Sequence, residues 1–294
     1  MTEPTNESSV VVDGLTFTEG PRWRGDRLWF SDFFSHTVHS VGLAGDDRVE
    51  VALDDQPSGL GWLPDGRLLV VSMTRQQLLR VEPDGTIELH ADLSALARHW
   101  CNDMVVDESG RAYVGFFGFD IEAWMDRGGG ETPRAELLVV EPDGAVSVGA
   151  TDLMFPNGSV LTPGTRGHVL VVAESFGGRL SAFDVAADGG LSGARVWADV
   201  SALGASPDGI CLDAEGAIWV ADALGGDCIR VAEGGTELDR VRFGQNAFAC
   251  TLGGADGTTL FACTAPDSRA ALRSTEAAAR IEQTHVSVPG AGSP

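Results

Sequence analysis

The chain has 294 residues and a formal net charge of −23, from 43 acidic and 20 basic side chains. This excess of negative charge argues against binding to nucleic acid or to anionic membrane surfaces, because those partners attract basic patches. No apolar run is long enough to cross a bilayer, and residues 1–9 lack the basic and apolar regions of a signal peptide, which predicts a cytoplasmic protein.

A short pattern recurs six times along the chain: a turn that contains Gly, followed by a strongly β-forming run. The six copies occupy residues 24–32, 65–72, 109–115, 167–173, 215–222 and 256–263. Their central residues are 40 to 57 positions apart, close to the length of a four-stranded propeller blade. The repeat predicts an all-β, six-bladed β-propeller, with an open β-solenoid or two β-sandwiches as the alternatives.

The remaining segments fit one propeller domain over residues 1–294. Residues 1–9 are expected to form a disordered tail, and residues 10–12, all Val, are expected to add the outer strand of the last blade and so close the ring. The longest interval between copies contains residues 120–133, including three consecutive glycines. We expect this insertion to form a loop or lid over one face.

Four polar runs recur at matching positions, each just ahead of one of these β-forming runs. They are Glu19-Gly20-Pro21, Asn102-Asp103, Pro156-Asn157-Gly158 and Pro207-Asp208-Gly209. In a ring of similar sheets they would face a common centre, where a buried, unpaired carboxylate is costly unless a cation is bound. Oxygen donors without His or Cys favour calcium, magnesium or manganese over zinc. Taken singly, each run is also explained as an ordinary turn or a solvated acid.

The five cysteines, an odd number without a Cys-x-x-Cys pair, are expected to be reduced thiols. Cys101 stands out because it precedes Asn102, and His99 lies two residues away. A nucleophilic Cys101 with His99 as its base is one alternative, and a residue in the wall of the pocket is the other. A serine nucleophile has no support, since the chain contains no Gly-x-Ser-x-Gly elbow.

Together these runs resemble the senescence marker protein/gluconolactonase family, which includes regucalcin and bacterial lactonases. The resemblance is carried by residues 17–23, residues 102–111, residues 155–158 and residues 207–221, in order and at fitting intervals. It extends from about residue 11 to about residue 265. Four such phrases in sequence are far more specific than any one of them.

The resemblance implies a six-bladed propeller that hydrolyses lactones with one divalent cation in its central channel. By position, Glu19, Asn157 and Asp208 match the metal ligands, and Asp208 also matches the general base. Asn102 matches a residue that helps to hold substrate, and Asp120 falls where some members have an acidic substrate contact. The expected ion is Ca²⁺, with Mg²⁺, Mn²⁺ and Zn²⁺ as alternatives. The other functional classes are a non-catalytic calcium-binding or regulatory protein and a strictosidine-synthase-like lyase on the same fold.

One departure from the family pattern concerns the substrate. Sugar lactonases of the family commonly carry Arg two positions before the residue that matches Asn102, and here that position is Trp100. The expected mouth of the channel is also rich in large apolar residues, namely Phe33, Phe34, Phe116, Phe117, Phe119, Trp124, Met154, Phe155 and Phe176. With Trp100 and Phe117 as substrate contacts, we expect the small-molecule partner to be a hydrophobic lactone or ester with a bulky or aromatic acyl group. We also expect a monomer or weak homo-oligomer.

Overall fold

The computed structural model describes residues 8–165 and 167–292. Within these residues, the strands form six four-stranded antiparallel sheets, arranged as the blades of a β-propeller. Each of the six sequence repeats supplies the second strand of one blade, counted from the centre, so the predicted fold is confirmed. The repeat is regular because each such strand is covered by a neighbouring blade on both faces, which demands continuous apolar, β-forming residues.

The strand bounds are as follows, from the innermost strand outward. Blade 1 contains Thr18–Arg24, Arg27–Asp32, Thr37–Gly42 and Asp47–Ala52; blade 2 contains Pro57–Trp62, Leu68–Ser72, Gln77–Val81 and Ile87–Asp92; blade 3 contains Cys101–Val106, Ala112–Phe116, Ala135–Val140 and Val146–Leu153. Blade 4 contains Pro156–Gly164, Gly167–Glu174, Arg179–Val185 and Leu191–Asp199; blade 5 contains Pro207–Leu212, Ile218–Asp222, Asp227–Val231 and Glu237–Arg242; blade 6 contains Asn246–Gly253, Thr259–Ala265, Ala279–His285 and Ser9–Leu15.

Blade 6 joins the two ends of the described chain. Its outer strand, Ser9–Leu15, pairs antiparallel with Ala279–His285, which confirms the predicted role of residues 10–12. The ring is therefore closed by hydrogen bonds between distant parts of the sequence, and blade 6 does not end in an unpaired edge after its third strand. Of the expected disordered tail, residues 1–7 lie outside the described residues, and the expectation is wrong for Ser9, which begins a strand.

The hydrophobic core is divided among the interfaces between blades. Six clusters of buried side chains each fill one interface between neighbouring blades. Successive residues of a strand point to opposite faces, so Met104 packs toward blade 2 while the adjacent Val105 packs toward blade 4. All five cysteines are buried and unpaired, as expected, and Cys211 Sγ lies 3.9 Å from Cys250 Sγ.

Two excursions leave the blades at the same end of the ring, because both connect a second strand to a third. The first contains helix α1 (Ile121–Asp126), inside the loop expected at residues 120–133. The second contains helix α2 (Ala270–Arg273). A 3₁₀ turn, Ser201–Leu203, follows blade 4. Among the described residues, no helix has the length and apolar character needed to span a membrane.

Candidate functional site

Four inner strands carry a carboxylate or carboxamide side chain at the same position. Glu19, Asn102, Asn157 and Asp208 are the second residues of the innermost strands of blades 1, 3, 4 and 5. Strand pairing becomes irregular just after each of them, as in a β-bulge, which redirects the local side chains. All four line one pocket. We call this set the polar floor.

Glycines allow the inner strands to approach each other beneath the polar floor. A Cβ atom on Gly158 would lie 2.5 Å from the backbone nitrogen of Ile210, and one on Gly209 would lie 2.5 Å from the Cβ of Ala249. Since real Cβ atoms are not found at such distances, only glycine fits at these positions. The Asn-Gly and Asp-Gly pairs thus serve close packing of neighbouring strands around the site.

The two carboxylates of the polar floor are buried, with only 7% of each residue exposed. Burial raises the pKa of Glu19 well above its ordinary value, and the negative charges of Asp208 and Asp103 raise it further. Burial likewise raises the pKa of Asp208, with added effects from Asp103 and Asp222. Asp208 Oδ1 is buried and has no hydrogen-bond partner within the described part of the chain. Ionising both groups is therefore costly unless a cation lies between them.

The two asparagines are oriented by hydrogen bonds from their amide nitrogens. Asn157 Nδ2 donates to Ser175 Oγ at 3.2 Å, and Asn102 Nδ2 donates to the carbonyl of Pro156 at 3.4 Å. Glu19, Asn157 and Asp208 all line the pocket and carry oxygen donors of the kind that suits a hard divalent cation. Such an ion would satisfy Asp208 Oδ1, which has no hydrogen-bond partner among the described residues.

The polar floor is not a cluster made only of acidic or imidazole ligands. In residues 8–165 and 167–292, no group of three or more His, Cys, Asp and Glu side chains is placed to hold a metal ion. The floor differs from such a group because two of its four members are asparagines. The metal site remains a prediction that fits the donor chemistry of these residues.

A buried ion pair lies next to the polar floor and was not predicted from the sequence. Arg22 of blade 1 donates from Nη2 to Asp103 Oδ1 of blade 3 at 2.8 Å and to the carbonyl of Met104 at 2.5 Å. Arg22 and Asp103 are only 4% and 5% exposed. The two residues are 81 positions apart, so no local sequence pattern links them.

The walls of the pocket are aromatic. The pocket has a volume of about 640 Å³ and is lined by eight aromatic side chains, which we call the aromatic wall: Phe17, Phe33, Phe34, Trp100, Phe117, Phe155, Phe176 and Phe248. Of the residues expected at the mouth, Phe119 and Trp124 only back this wall, through ring contacts with Phe176 at 6.1 and 5.2 Å between centroids. The expectation is wrong for Phe116, which is fully buried in the core between blades 2 and 3, and Met154 also lies outside the lining.

Trp100 and Phe117 belong to a continuous row of rings. Their centroids are 6.1 Å apart, Phe117 is 4.5 Å from Phe155, and Phe155 is 5.1 Å from Phe176. Phe155 holds a left-handed backbone, with φ of 61°, directly before the blade 4 inner strand. That conformation is unusual for a bulky residue and costs about 1–3 kcal/mol. The strain occurs where the chain turns from the aromatic wall to Asn157.

The rim of the pocket is built by the two excursions. Helix α1 contributes Ile121 and Met125, and the α2 segment contributes residues 267–271. Asp120 does not line the pocket; its Oδ1 accepts a hydrogen bond from Ala123 N at 2.9 Å and so caps α1. A contact between Asp120 and substrate stays a prediction. The α2 contribution was missed because this segment lies outside the repeat.

Cys101 does not line the pocket. It is fully buried in the core between blades 2 and 3, and burial raises the pKa of its thiol to about 12. A thiol with such a pKa is almost entirely protonated at neutral pH and is a poor nucleophile. Burial also lowers the pKa of His99, whose ring packs against Trp100 at 5.1 Å between centroids. Both alternatives for Cys101, nucleophile and pocket-wall residue, are therefore wrong.

A family model agrees with the position of the polar floor in the chain. The model described as SMP-30/Gluconolactonase/LRE-like region matches residues 17–266, a span that includes all four polar-floor residues and all six blades in whole or in part.

Individual proteins are similar at lower levels of identity. Regucalcin from Danio rerio is 28% identical over 195 residues, which cover 64% of this chain and 63% of that protein, just under two thirds of its length. Pentonolactonase XacC from Haloferax volcanii is 27% identical over 262 residues, covering 87% and 84%. A solved structure described as the calcium-binding protein regucalcin from Agrobacterium tumefaciens has a TM-score of 0.79 at 23% identity, covering 97% and 95%.

Proposed function

Because the chain belongs to the SMP-30/gluconolactonase/LRE-like family, we propose that it is a lactonase that depends on a divalent metal ion and acts on a hydrophobic lactone or related ester. The observation that carries the proposal is the polar floor. Glu19 is buried beside the charge of Asp208, and Asp208 Oδ1 has no hydrogen-bond partner among the described residues at the base of an aromatic pocket.

Glu19, Asn157 and Asp208 are the residues that would hold the ion. A divalent cation bound there supplies the positive charge that polarises a lactone carbonyl and makes a water molecule more acidic. We assign Asp208 as the group that accepts the proton of that water, because its carboxylate is buried in the pocket floor together with the other residues that would hold the ion. Asn102, which also lines the pocket, can hold the substrate at the polar floor.

Calcium is the proposed ion, because a carboxamide and two carboxylates are hard oxygen donors. A similar solved structure is described as a calcium-binding protein, which supports the same choice. Magnesium, manganese and zinc are alternatives that the same oxygens accept, so the loaded ion also depends on supply.

The aromatic wall supports the choice of substrate. The name of one relative points to a pentonolactone, a sugar-derived substrate whose hydroxyls need hydrogen-bond partners. Here Trp100 presents an indole to the pocket, and it continues into the row formed by Phe117, Phe155 and Phe176. Burial of apolar substrate surface against these rings contributes about 25 cal/mol per Å², with more from ring stacking.

A pH-indicator assay tests this function with three lactones of matched ring size: an aromatic lactone such as dihydrocoumarin, an unsubstituted aliphatic δ-lactone and glucono-δ-lactone. We expect acid release to stop after treatment with a chelator, to return with Ca²⁺ or Mn²⁺, and to be at least about tenfold faster per enzyme for the aromatic lactone than for the sugar lactone. Hydrolysis that continues at full rate without metal would contradict the metal dependence. Preference for the sugar lactone would contradict the substrate class.

The second candidate is a calcium-binding protein without turnover, which the similarity to regucalcin favours. It predicts tight metal uptake by the purified protein and no hydrolysis of any of the three lactones. Calorimetry with Ca²⁺ and the lactone assay on the same preparation together separate the two candidates, because both bind the ion and only the lactonase releases acid.

A further inference from the structure

The ion pair between Arg22 and Asp103 joins blades 1 and 3 beside the polar floor. The inner strand of blade 2 lies between the strands that carry these two residues, and here too the strands are crowded. A Cβ atom on Gly59 would lie 2.4 Å from the backbone nitrogen of Met104. The pair is therefore enclosed by three inner strands, and the side chains of Arg22 and Asp103 are only 5% and 7% exposed.

Arg22 is fixed by several contacts. Its Nη1 donates to the carbonyl of Pro21 at 2.9 Å, and its Nη2 donates to the Met104 carbonyl as well as to Asp103. Its Nε is buried without a partner among the described residues. A buried ion pair often stabilises the folded state no more than apolar side chains of similar size would. An ion pair whose guanidinium also has an incomplete set of hydrogen bonds is therefore poorly explained by stability alone.

Asp103 is held in the same way. Its Oδ1 accepts hydrogen bonds from both Arg22 Nη2 and its neighbour Met104 N, each at 2.8 Å. Both contacts use Oδ1, so the pair holds Asp103 through one carboxylate oxygen. Asp103 directly follows Asn102 of the polar floor, and its negative charge acts on both Glu19 and Asp208.

The formal charges of Glu19, Asp208, Asp103 and Arg22 add up to the opposite of the charge of one divalent cation. When ionised, Glu19, Asp208 and Asp103 carry three negative charges and Arg22 carries one positive charge, so these four side chains total −2. Asp222 is not counted, because its carboxylate already accepts two backbone N–H groups. Without Arg22 the three carboxylates would carry a total charge of −3. A bound metal ion would then offset Glu19 and Asp208, and the charge of Asp103 would have lost its partner. Charge and ligand count are the properties that set the affinity of an oxygen site for calcium.

We propose that Arg22 is a positioning residue of the metal site: by pairing with Asp103 it offsets the charge of that carboxylate, so that Glu19, Asp208, Asp103 and Arg22 together carry −2. This inference rests on the proposed metal-dependent function. The pair tunes the site toward a divalent ion held moderately tightly, with room for water and substrate. Asp222, the other carboxylate that acts on Asp208, accepts backbone N–H groups of Ser206 and Leu224 and stays unchanged in the test.

The test is a charge cycle measured by calorimetry of Ca²⁺ binding to the metal-free full chain in mildly alkaline buffer. Arg22→Met makes the site −3 and is expected to tighten Ca²⁺ binding about tenfold or more, whereas Asp103→Asn makes it −1 and weakens binding by a similar factor. The double variant returns the site to −2 and is expected to lie within about threefold of the wild type. Arg22→Lys, which keeps the charge, serves as the matched control and is also expected to stay within about threefold.

A purely structural role for the pair gives a different pattern. Both single variants would then weaken Ca²⁺ binding together with the melting temperature of the metal-free protein, and this result overturns the inference while leaving the metal-dependent function intact. If Arg22→Met does not fold, the comparison of Asp103→Asn with the double variant decides, because the inference requires at least about a fivefold recovery of affinity when Arg22 is removed. A wild-type protein that binds neither Ca²⁺ nor Mn²⁺ overturns this inference and the proposed metal dependence together.

Discussion

The polar floor and the aromatic wall of the pocket are built in different ways. The polar floor comes from one register position of the inner strands, repeated around the ring and held by glycines that let the strands crowd together. The aromatic wall comes mainly from residues at the pocket ends of strands and in the connections beyond them, which differ from blade to blade. The comparison suggests that chemistry is a property of the repeat and that substrate choice is a property of its irregular parts.

The largest expected effect is the loss of activity when a residue of the polar floor is replaced. We expect Asp208→Asn to lower kcat/KM for the aromatic lactone by at least about 100-fold, because the variant loses both a charged ligand and the proton acceptor. The measurement is initial-rate kinetics at saturating metal, with the fold checked by circular dichroism.

Asp143→Asn is the matched control for this change. Asp143 also stands in a Pro-Asp-Gly run, but it is exposed in a hairpin turn, where it accepts a hydrogen bond from Ala145 N. The control is expected to keep its activity within about twofold of the wild type, as is usual for surface positions. Equal losses in the two variants would show that the effect belongs to the tripeptide and not to the site.

Pro-Asp-Gly occurs four times, which shows what the sequence alone can decide. In residues 64–66, 83–85 and 142–144 the glycine has a left-handed backbone and ends a hairpin turn, whereas Gly209 does not and is needed for close strand packing. The tripeptide is identical in all four places. Only its phase within the blade repeat predicts that Asp208 faces the centre of the ring while the other three face solvent.

The blades were predictable because each buried strand must satisfy the same local requirement. Six β-forming runs at blade spacing sufficed to place the second strands, and the Val-rich start indicated how the ring closes. The ion pair of Arg22 and Asp103 was not predictable, since it joins residues that meet only when three inner strands are assembled. The contribution of the α2 segment to the rim was not predictable either, because this segment lies outside the repeat and has no internal copy with which it can be compared.

The second-largest expected effect is a change of substrate preference when the aromatic wall is altered. We expect Trp100→Arg to lower kcat/KM for the aromatic lactone about tenfold and to raise it severalfold for glucono-δ-lactone, because a guanidinium replaces apolar contact with hydrogen-bond donors. The quantity to measure is the ratio of the two kcat/KM values.

Trp62→Arg provides the control for Trp100→Arg. Trp62 is also partly buried, but it lies at the far end of the blade 2 inner strand, with Arg24 4.6 Å from its ring centre. The ratio should stay at the wild-type value in this variant. An unchanged ratio in Trp100→Arg would remove Trp100 from the substrate contacts, while leaving the role of the polar floor untouched.

The smallest expected effect concerns the stability of the metal-free protein, and it tests the polar floor without any substrate. Because the folded-state pKa of Asp208 is raised above its unfolded value, the folded protein holds this proton more tightly than the unfolded chain does. The stabilisation is complete below the unfolded pKa and is lost as the pH rises through the folded pKa. In the presence of a chelator, Asp208→Asn should therefore melt a few degrees above the wild type at neutral pH, and the difference should shrink toward zero in acid below the unfolded pKa.

Adding Ca²⁺ should reverse the order of the two melting temperatures, since only the wild type gains the full binding energy. A wild type that is the more stable of the two in chelator at neutral pH would mean that Asp208 is already satisfied by the protein, and that its buried carboxylate does not need an ion.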